Sequence, residues 1–202
     1  MPFELLAMCN ILQDVRGIAK ARVLDVELYD RNAIAHDFPD DKISEAYARL
    51  ADGFKLGYQY ELFALLCKGL GVRVECAVEN SRRSKARTAI NAQCRLVACE
   101  EGRLGAEVRY RAVSKGKSTD AELVFGLLDF GTLGVSKLDA LQAAEQNGWM
   151  PIMRKTWFCH TPVNGKPCGI CNPCRDAMNE GMGWRMPLSS RLRYHMWHLR
   201  TR

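Results

Sequence analysis

The chain has 202 residues, of which 48% are hydrophobic and 26% charged, a composition that excludes a disordered protein and predicts a globular domain with a substantial core. No apolar run approaches the ~20 residues of a membrane span and nothing resembles a signal peptide, so we expect a cytoplasmic protein. Of the net charge of +6, residues 185–202 contribute +5, because they hold five arginines and no acidic residue.

Hydrophobic periodicity predicts alternating helices and strands over the first 150 residues. Ser44 and Ser136 are expected N-caps, and Gly71 and Gly148 are expected C-terminal stops. The helices are predicted at 4–22, 44–54, 58–70, 84–98 and 136–147, and the strands at 22–29, 72–78, 107–113 and 122–130. The polar strand 107–113 is expected near a sheet edge.

The order strand, helices, strand within residues 22–78 is typical of a parallel α/β sheet with right-handed crossovers. We therefore predict the α/β class with a parallel sheet over residues 1–150, followed by a cysteine-rich segment at 151–184 and a basic tail at 185–202.

Four of the nine cysteines lie in one turn-rich segment, where Cys159 is followed after eight residues by Cys168 and then by Cys171 and Cys174. Gly165 and the residues after it are expected to bend the backbone so that Cys159 returns to the other three. Four thiolates complete the tetrahedron that Zn²⁺ accepts and leave no open position, so the spacing predicts a structural zinc site.

Two alternatives to zinc remain, an iron–sulfur cluster and no metal. In ferredoxins a C-x-x-C-x-x-C run continues downstream to its fourth cysteine, whereas here Cys159 lies upstream. His160 is an alternative ligand, but we expect it to face solvent or to contact the ligands without binding the metal itself. Nearby cations are expected to offset the thiolate charge; these are Arg154, Lys155, Lys166 and Arg175.

The remaining cysteines lie in apolar, periodic segments, where a reduced cysteine behaves as a small buried hydrophobe. They are Cys9, Cys67, Cys76, Cys94 and Cys99. Catalytic signatures are absent: Gly116, Lys117 and Ser118 mimic the end of a Walker motif, but Arg111 stands where its first glycine is required.

The tail at 187–202 predicts an amphipathic helix with Leu188, Leu192, Met196 and Leu199 on one face. Docking of this helix on the domain is the first alternative. The second is contact with nucleic acid, since aromatic residues interleave with the arginines. An anionic membrane surface is the third.

The cysteine segment resembles the C-terminal part of the 7-cyano-7-deazaguanine synthase family of queuosine biosynthesis, which carries T-x-x-C-[Y/H] followed by C-G-x-C-x-x-C. Thr156, Cys159, His160, Cys168, Gly169, Cys171 and Cys174 fill those places, and Gly181 falls near a glycine typical of the following helix. Ser136 and Lys137 resemble a threonine-lysine element of the family, which makes Lys137 a substrate-binding candidate. The resemblance covers roughly residues 120–184, and residues 55–80 in outline.

This resemblance implies a Rossmann-like sheet of the nucleotide α-hydrolase type and an ATP-dependent ligase that converts a 7-carboxy-7-deazaguanine acid to its nitrile with ammonia. The family's S-G-G-x-D-S phosphate loop has no counterpart in the sequence. We therefore expect a truncated or degenerate relative, with Zn²⁺ bound and with ATP and Mg²⁺ used only if that loop is supplied. A deazapurine substrate and a homodimer are the expected partnerships. The alternative function is a non-catalytic zinc-stabilised module that binds nucleic acid or a protein through its tail.

Overall fold

The computed structural model describes residues 2–18, 23, 26–78, 81, 84–99 and 108–201. Contacts group the chain into two compact units: the sheet unit, Val26–Lys137, and the cysteine unit, Met1–Asp25 with Leu138–Arg202. The division at 150 and 184 expected from the sequence stays a prediction. Each unit is described by itself below.

The sheet unit contains helices α2 to α6 and all four strands that the described residues form. Its elements in chain order are α2 (Arg31–Asp37), α3 (Asp41–Phe54), α4 (Gln59–Leu70), β1 (Val74–Glu75), α5 (Lys85–Gln93), β2 (Cys94–Cys99), β3 (Arg109–Ser114), α6 (Asp120–Phe125) and β4 (Leu128–Phe130). The helix preceding them, α1 (Pro2–Arg16), belongs to the cysteine unit.

The four strands form one mixed sheet in the order β1-β4-β3-β2. β1 and β4 are parallel, with Val74 opposite Leu128, whereas β3 runs antiparallel to both β4 and β2. The predicted α/β class is confirmed, but the all-parallel sheet is wrong, since one of the three pairings is parallel. β3 lies between β4 and the edge strand β2, which agrees with the expectation that it is near an edge of the sheet formed by the described residues.

Two predicted elements are divided in the structure. The helix expected at 84–98 ends at Gln93, and the next six residues form β2 because their backbone pairs with the whole of β3. The strand expected at 122–130 begins as α6, which Thr119 caps by accepting a hydrogen bond from the Glu122 amide. A short apolar run fits a buried helix as well as a strand, and periodicity alone did not separate the two.

Several predicted boundaries shift. Asp40, and not Ser44, caps α3 by accepting from the Ile43 amide. The strand expected at 72–78 is regular only over the two residues of β1. Of the strand expected at 22–29, residues 22, 24 and 25 lie outside the described residues, and 26–29 are irregular and exposed, so no strand forms over 26–29. The helix expected at 4–22 extends to Arg16, and residues 19–22 lie outside the description.

The core of the sheet unit lies around β4 and α6. Phe125, Leu128 and Phe130 are fully buried and pack with Leu50 of α3 and Ile90 of α5. The helix α4 ends at Leu70 and is capped by Gly71, whose φ of 64° is the left-handed conformation expected of that C-terminal glycine.

The cysteine unit contains short helices around the thiol-rich segment. After α1 these are α7 (Lys137–Gln146, from Leu138 onward), α8 (Met150–Met153), α9 (Asn172–Asn179), a 3₁₀ turn (Gly183–Arg185) and α10 (Leu188–Arg200). The predicted stop of α7 is confirmed, since Gly148 has a φ of 70° directly beyond it. None of the described helices combines the length and apolar composition needed to cross a bilayer.

Candidate metal centre

A tight hairpin brings Cys159 back toward the other three cysteines. Val163 and Lys166 exchange backbone hydrogen bonds of 2.9 and 3.1 Å across it. Between them Asn164 and Gly165 have φ values of 51° and 70°, the pair of left-handed residues that a two-residue hairpin turn needs. The bend at Gly165 was predicted; the Asn-Gly pair itself was a usable signal for the hairpin that the sequence reading did not name.

A second turn joins Cys168 to Cys171. Gly169 has a φ of 88°, and a Cβ placed on it would overlap the backbone oxygen of Ser190. The amides of Ile170 and Cys171 point back and donate to the Cys168 Sγ at 3.4 and 3.2 Å. This is the arrangement in which a thiolate is stabilised by backbone N–H groups.

The fourth thiol is fixed by the start of α9. Cys171 is the N-cap of this helix and Pro173 occupies its first turn, where a missing N–H costs nothing. Cys174 therefore lies one helical turn beyond Cys171, on the same side.

The structure brings all four predicted ligands together: their Sγ atoms lie within 4.8 Å of one another. The Cys159–Cys171 and Cys168–Cys174 sulfur separations are 3.8 and 3.9 Å. A tetrahedral ion with metal–sulfur bonds of about 2.3 Å separates its sulfurs by about 3.8 Å, so the site fits one metal ion. All nine cysteines are free thiols, so no disulfide competes for these sulfurs.

Hydrogen bonds and burial shift the pKa values of these thiols in different directions. Burial raises the pKa of the Cys168 thiol, but hydrogen bonds from Thr161 and from the Cys171 and Ile170 amides outweigh it and lower that pKa to about 6. Burial dominates at Cys159 and Cys174 and raises the pKa of both. Cys168 is thus more ready than Cys159 or Cys174 to bind a metal as a thiolate at neutral pH.

The surroundings of the site are apolar and fixed by polar contacts at its edge. Met186 is buried with the thiols, and Trp157 covers them while donating from Nε1 to the Cys159 oxygen at 2.7 Å. Arg193 of α10 donates to the Cys168 oxygen at 2.7 Å and to the Pro167 oxygen at 3.1 Å. Its role was missed, because in sequence it is one of several arginines in a basic tail.

Three of the four cations predicted to offset the thiolate charge have other contacts. Lys155 pairs with Asp14 at 2.5 Å, and the guanidinium of Arg175 lies 4.5 Å from the Trp197 ring centre. The guanidinium of Arg154 lies 5.9 Å from the Trp184 ring centre. His160 is exposed and is not part of the ligand group formed by the described residues, in line with its expected solvent-facing position.

The basic tail forms a helix, α10, that packs with the face opposite to its leucines. Ser190 and Tyr194 are buried, and the Tyr194 hydroxyl donates to Asn179 Oδ1 at 2.7 Å. Leu188 and Leu199 are 64% and 75% exposed. A stripe of apolar residues at helical spacing predicts a buried face. Here the opposite and more polar face packs against the Cys168–Cys171 turn, where Arg193 and Ser190 supply hydrogen bonds.

The other residues singled out from the sequence are not members of the thiol group. Lys137 opens α7 and its proposed contact with substrate stays a prediction. Gly116 and Lys117 lie in the bend after β3, where the Lys117 oxygen accepts from Ser114. Cys67 and Cys94 are buried as expected, Cys76 and Cys99 are half-buried, and Cys9 is exposed, so its expected burial is wrong.

Comparison with known proteins gave no relative. No model of a known protein family matches the chain, and no curated protein or solved structure matches it.

Proposed function

We propose that Cys159, Cys168, Cys171 and Cys174 bind one Zn²⁺ in a closed, structural site. The observation that carries this proposal is the mutual approach of the four Sγ atoms to within 4.8 Å. Zinc accepts four thiolates in this geometry without preferring another. A four-iron cluster places several metals and sulfides between its thiolates and so holds them farther apart than a single ion does.

The metal would join three separate parts of the cysteine unit. Cys159 precedes the hairpin, Cys168 and Cys171 bracket the turn at Gly169, and Cys174 begins α9. α10 contacts the same turn through Arg193. With four protein ligands no position remains for water, so the ion would stabilise the fold and would not activate a nucleophile.

Elemental analysis of the purified chain tests this proposal. We expect one zinc per chain, and we expect Cys171→Ser to lose it together with thermal stability. Cys9→Ser, which removes an exposed thiol outside the cluster, is the matched control and should keep both. A brown protein containing iron, or a metal-free protein of unchanged stability, would contradict the assignment.

We propose further that the chain is a 7-cyano-7-deazaguanine synthase-like protein. The support is the pattern from Thr156 to Cys174, whose cysteines serve as the metal ligands of the first proposal. The reaction would be ATP-dependent conversion of a deazapurine acid to its nitrile with ammonia, and it needs a phosphate loop that this sequence does not contain. A pyrophosphate assay with ATP, the acid and ammonia tests it: release that depends on the acid supports the proposal, and no release removes it.

A non-catalytic module that binds nucleic acid through α10 is the second candidate. The specific observation in its favour is that Arg191 and Arg200 are exposed on a helix without an acidic residue, whereas Arg193 contacts the backbone beside the thiols. Binding of a single-stranded oligonucleotide should weaken with rising salt and on replacement of Arg191 and Arg200 by alanine. Binding that responds to neither would exclude this candidate.

A further inference from the structure

The cysteine unit contains a concave site whose lining does not include the four thiols. It is a cavity of about 450 Å³ lined by α7, α8 and the 3₁₀ turn. Its lining residues are Glu145, Met150, Arg154, Trp184 and Arg185. This volume falls in the lower part of the range of about 300–1,000 Å³ typical of small-ligand sites.

Arg185 is a fixed cation in this cavity. Its guanidinium lies 4.3 Å from the Phe158 ring centre and donates through Nη2 to the Thr156 hydroxyl at 2.6 Å. Burial lowers its pKa, which means that desolvation disfavours the charged form. In the described part of the chain no carboxylate pairs with Arg185, so a bound anion would offset the cost of desolvating it.

Arg154 adds a second cation on the same cavity. It contacts Trp184 and has no carboxylate partner among the described residues. Glu145 is the single carboxylate of the lining and pairs with neither arginine within the described ranges. The lining therefore carries two guanidinium groups against one carboxylate, which favours a ligand with net negative charge.

Trp184 supplies an aromatic surface in the same cavity. Its side chain is 38% exposed and lines the cavity beside both arginines. An exposed indole next to guanidinium groups offers a stacking surface for a planar ring that carries a phosphate.

We propose that this cavity binds a nucleotide, with the phosphate held by Arg154 and Arg185 and the base stacked on Trp184. The source of that chemistry is either a free nucleotide or the 5′-phosphorylated end of a nucleic acid. The proposal depends on neither the metal identity nor the synthase-like reaction, and each can fail without the other.

Calorimetric titration of the full, metal-loaded chain tests it with AMP, adenosine and inorganic phosphate as probes. AMP is expected to bind at least about 10-fold more tightly than adenosine or phosphate, because it alone uses both the stacking and the charged contacts. Arg154→Ala should weaken AMP binding at least about 10-fold, the loss expected when a charge-assisted contact is removed. Arg154 is exposed, so this variant should fold.

Arg191→Ala is the matched control, since it removes an exposed arginine of the same unit that does not line the cavity. It should leave AMP binding within about two-fold of the unaltered chain. Trp184→Ala should weaken AMP binding without changing the affinity for phosphate. Equal losses in Arg154→Ala and Arg191→Ala would indicate general charge attraction and overturn the proposal.

A 5′-phosphorylated trinucleotide separates the two sources. AMP binding that depends on Arg154 assigns the site to a free nucleotide. Trinucleotide binding that depends on Arg154 and on the 5′-phosphate, without AMP binding, assigns it to a nucleic-acid end. No Arg154-dependent binding of either probe would overturn the proposal.

Discussion

The buried cluster of the sheet unit differs in composition from that of the cysteine unit. The sheet unit has a cluster of sixteen buried apolar residues around β4 and α6. In the cysteine unit, three of the four buried members of the corresponding cluster are thiols and the fourth is Met186. We therefore expect apolar burial to stabilise the first unit and the proposed metal to stabilise the second.

Loss of one ligand should have the largest effect and should be confined to the cysteine unit. Cys174→Ser removes a fully buried thiol from the cluster. Because structural zinc contributes an apparent ~10–16 kcal/mol at pH 7 in zinc-finger peptides, we expect loss of the metal and unfolding of α9 and α10. Zinc content and hydrogen exchange in 157–200 measure this. An intact zinc complement with unchanged protection would contradict it.

A cavity created in the core of the sheet unit should destabilise that unit and leave the zinc content unchanged. Phe125 is fully buried in the core. Phe125→Ala should lower the free energy of unfolding of this unit by about 3–5 kcal/mol, since the site cannot collapse around so large a loss of volume. Denaturant unfolding measures the change, and zinc content should stay at one per chain. Leu28→Ala, at a position 70% exposed, is the control and should change little.

The contact between the Cys168–Cys171 turn and α10 can be tested with two glycines. Gly169 and Gly181 both have left-handed φ values, 88° and 77°, but a Cβ overlaps backbone only at Gly169. Gly181→Ala should cost about 1–2 kcal/mol from conformation alone. Gly169→Ala should cost about 3 kcal/mol or more, because the turn and α10 must also separate. Equal costs in thermal unfolding would show that this close approach does not matter.

The sheet unit contains one charged network whose contribution depends on pH. Asp129 accepts hydrogen bonds from Arg73 Nη2 at 2.9 Å and Arg111 Nε at 2.8 Å. Burial raises the pKa of Asp129, but the two guanidinium groups outweigh it and hold this pKa below its ordinary value. The network therefore stabilises the fold above the unfolded-state pKa of about 3.9, and this contribution is lost as pH falls through the lower folded-state pKa.

Asp129→Asn should cost about 1–2 kcal/mol at neutral pH, a value reduced for the partial exposure of both arginines. The variant should also lack the acid-dependent loss below about pH 4. Asp52→Asn, at a side chain 92% exposed, is the matched control and should change little. Identical pH profiles of unfolding for Asp129→Asn and the unaltered chain would exclude the network as a source of acid sensitivity.

Local signals in the sequence predicted the cysteine site better than the sheet. The four ligands were identified because cysteine spacing and turn residues act within sixteen positions of one another. The sheet order depends on pairings such as Cys94 with Ser114, which bring distant segments together and leave no local signature. The apolar run around Phe125 fitted either a helix or a strand, and only the cap at Thr119 decides between them.

The parts of the site that the sequence did not predict are those where a side chain hydrogen-bonds to backbone that is distant in sequence. Arg193 contacts the oxygens of Pro167 and Cys168, and no periodicity in α10 distinguishes it from Arg191. The buried face of α10 was misjudged for the same reason, since the packing partner of Ser190 is a turn more than twenty residues earlier. Amphipathic spacing shows that a face is apolar, but not that the fold covers it.

Chelation followed by hydrogen exchange tests whether a bound metal stabilises the cysteine unit. A strong chelator should remove one zinc per chain and abolish protection of amides in 157–200, because three of the four buried residues in the cluster of the described part of this unit are the proposed metal ligands. Amides of α3, α6 and β4 should stay protected, since their core contains no metal ligand. Complete removal of the metal with protection unchanged in 157–200, or a chain that never contains zinc, would contradict the assignment of a structural zinc site.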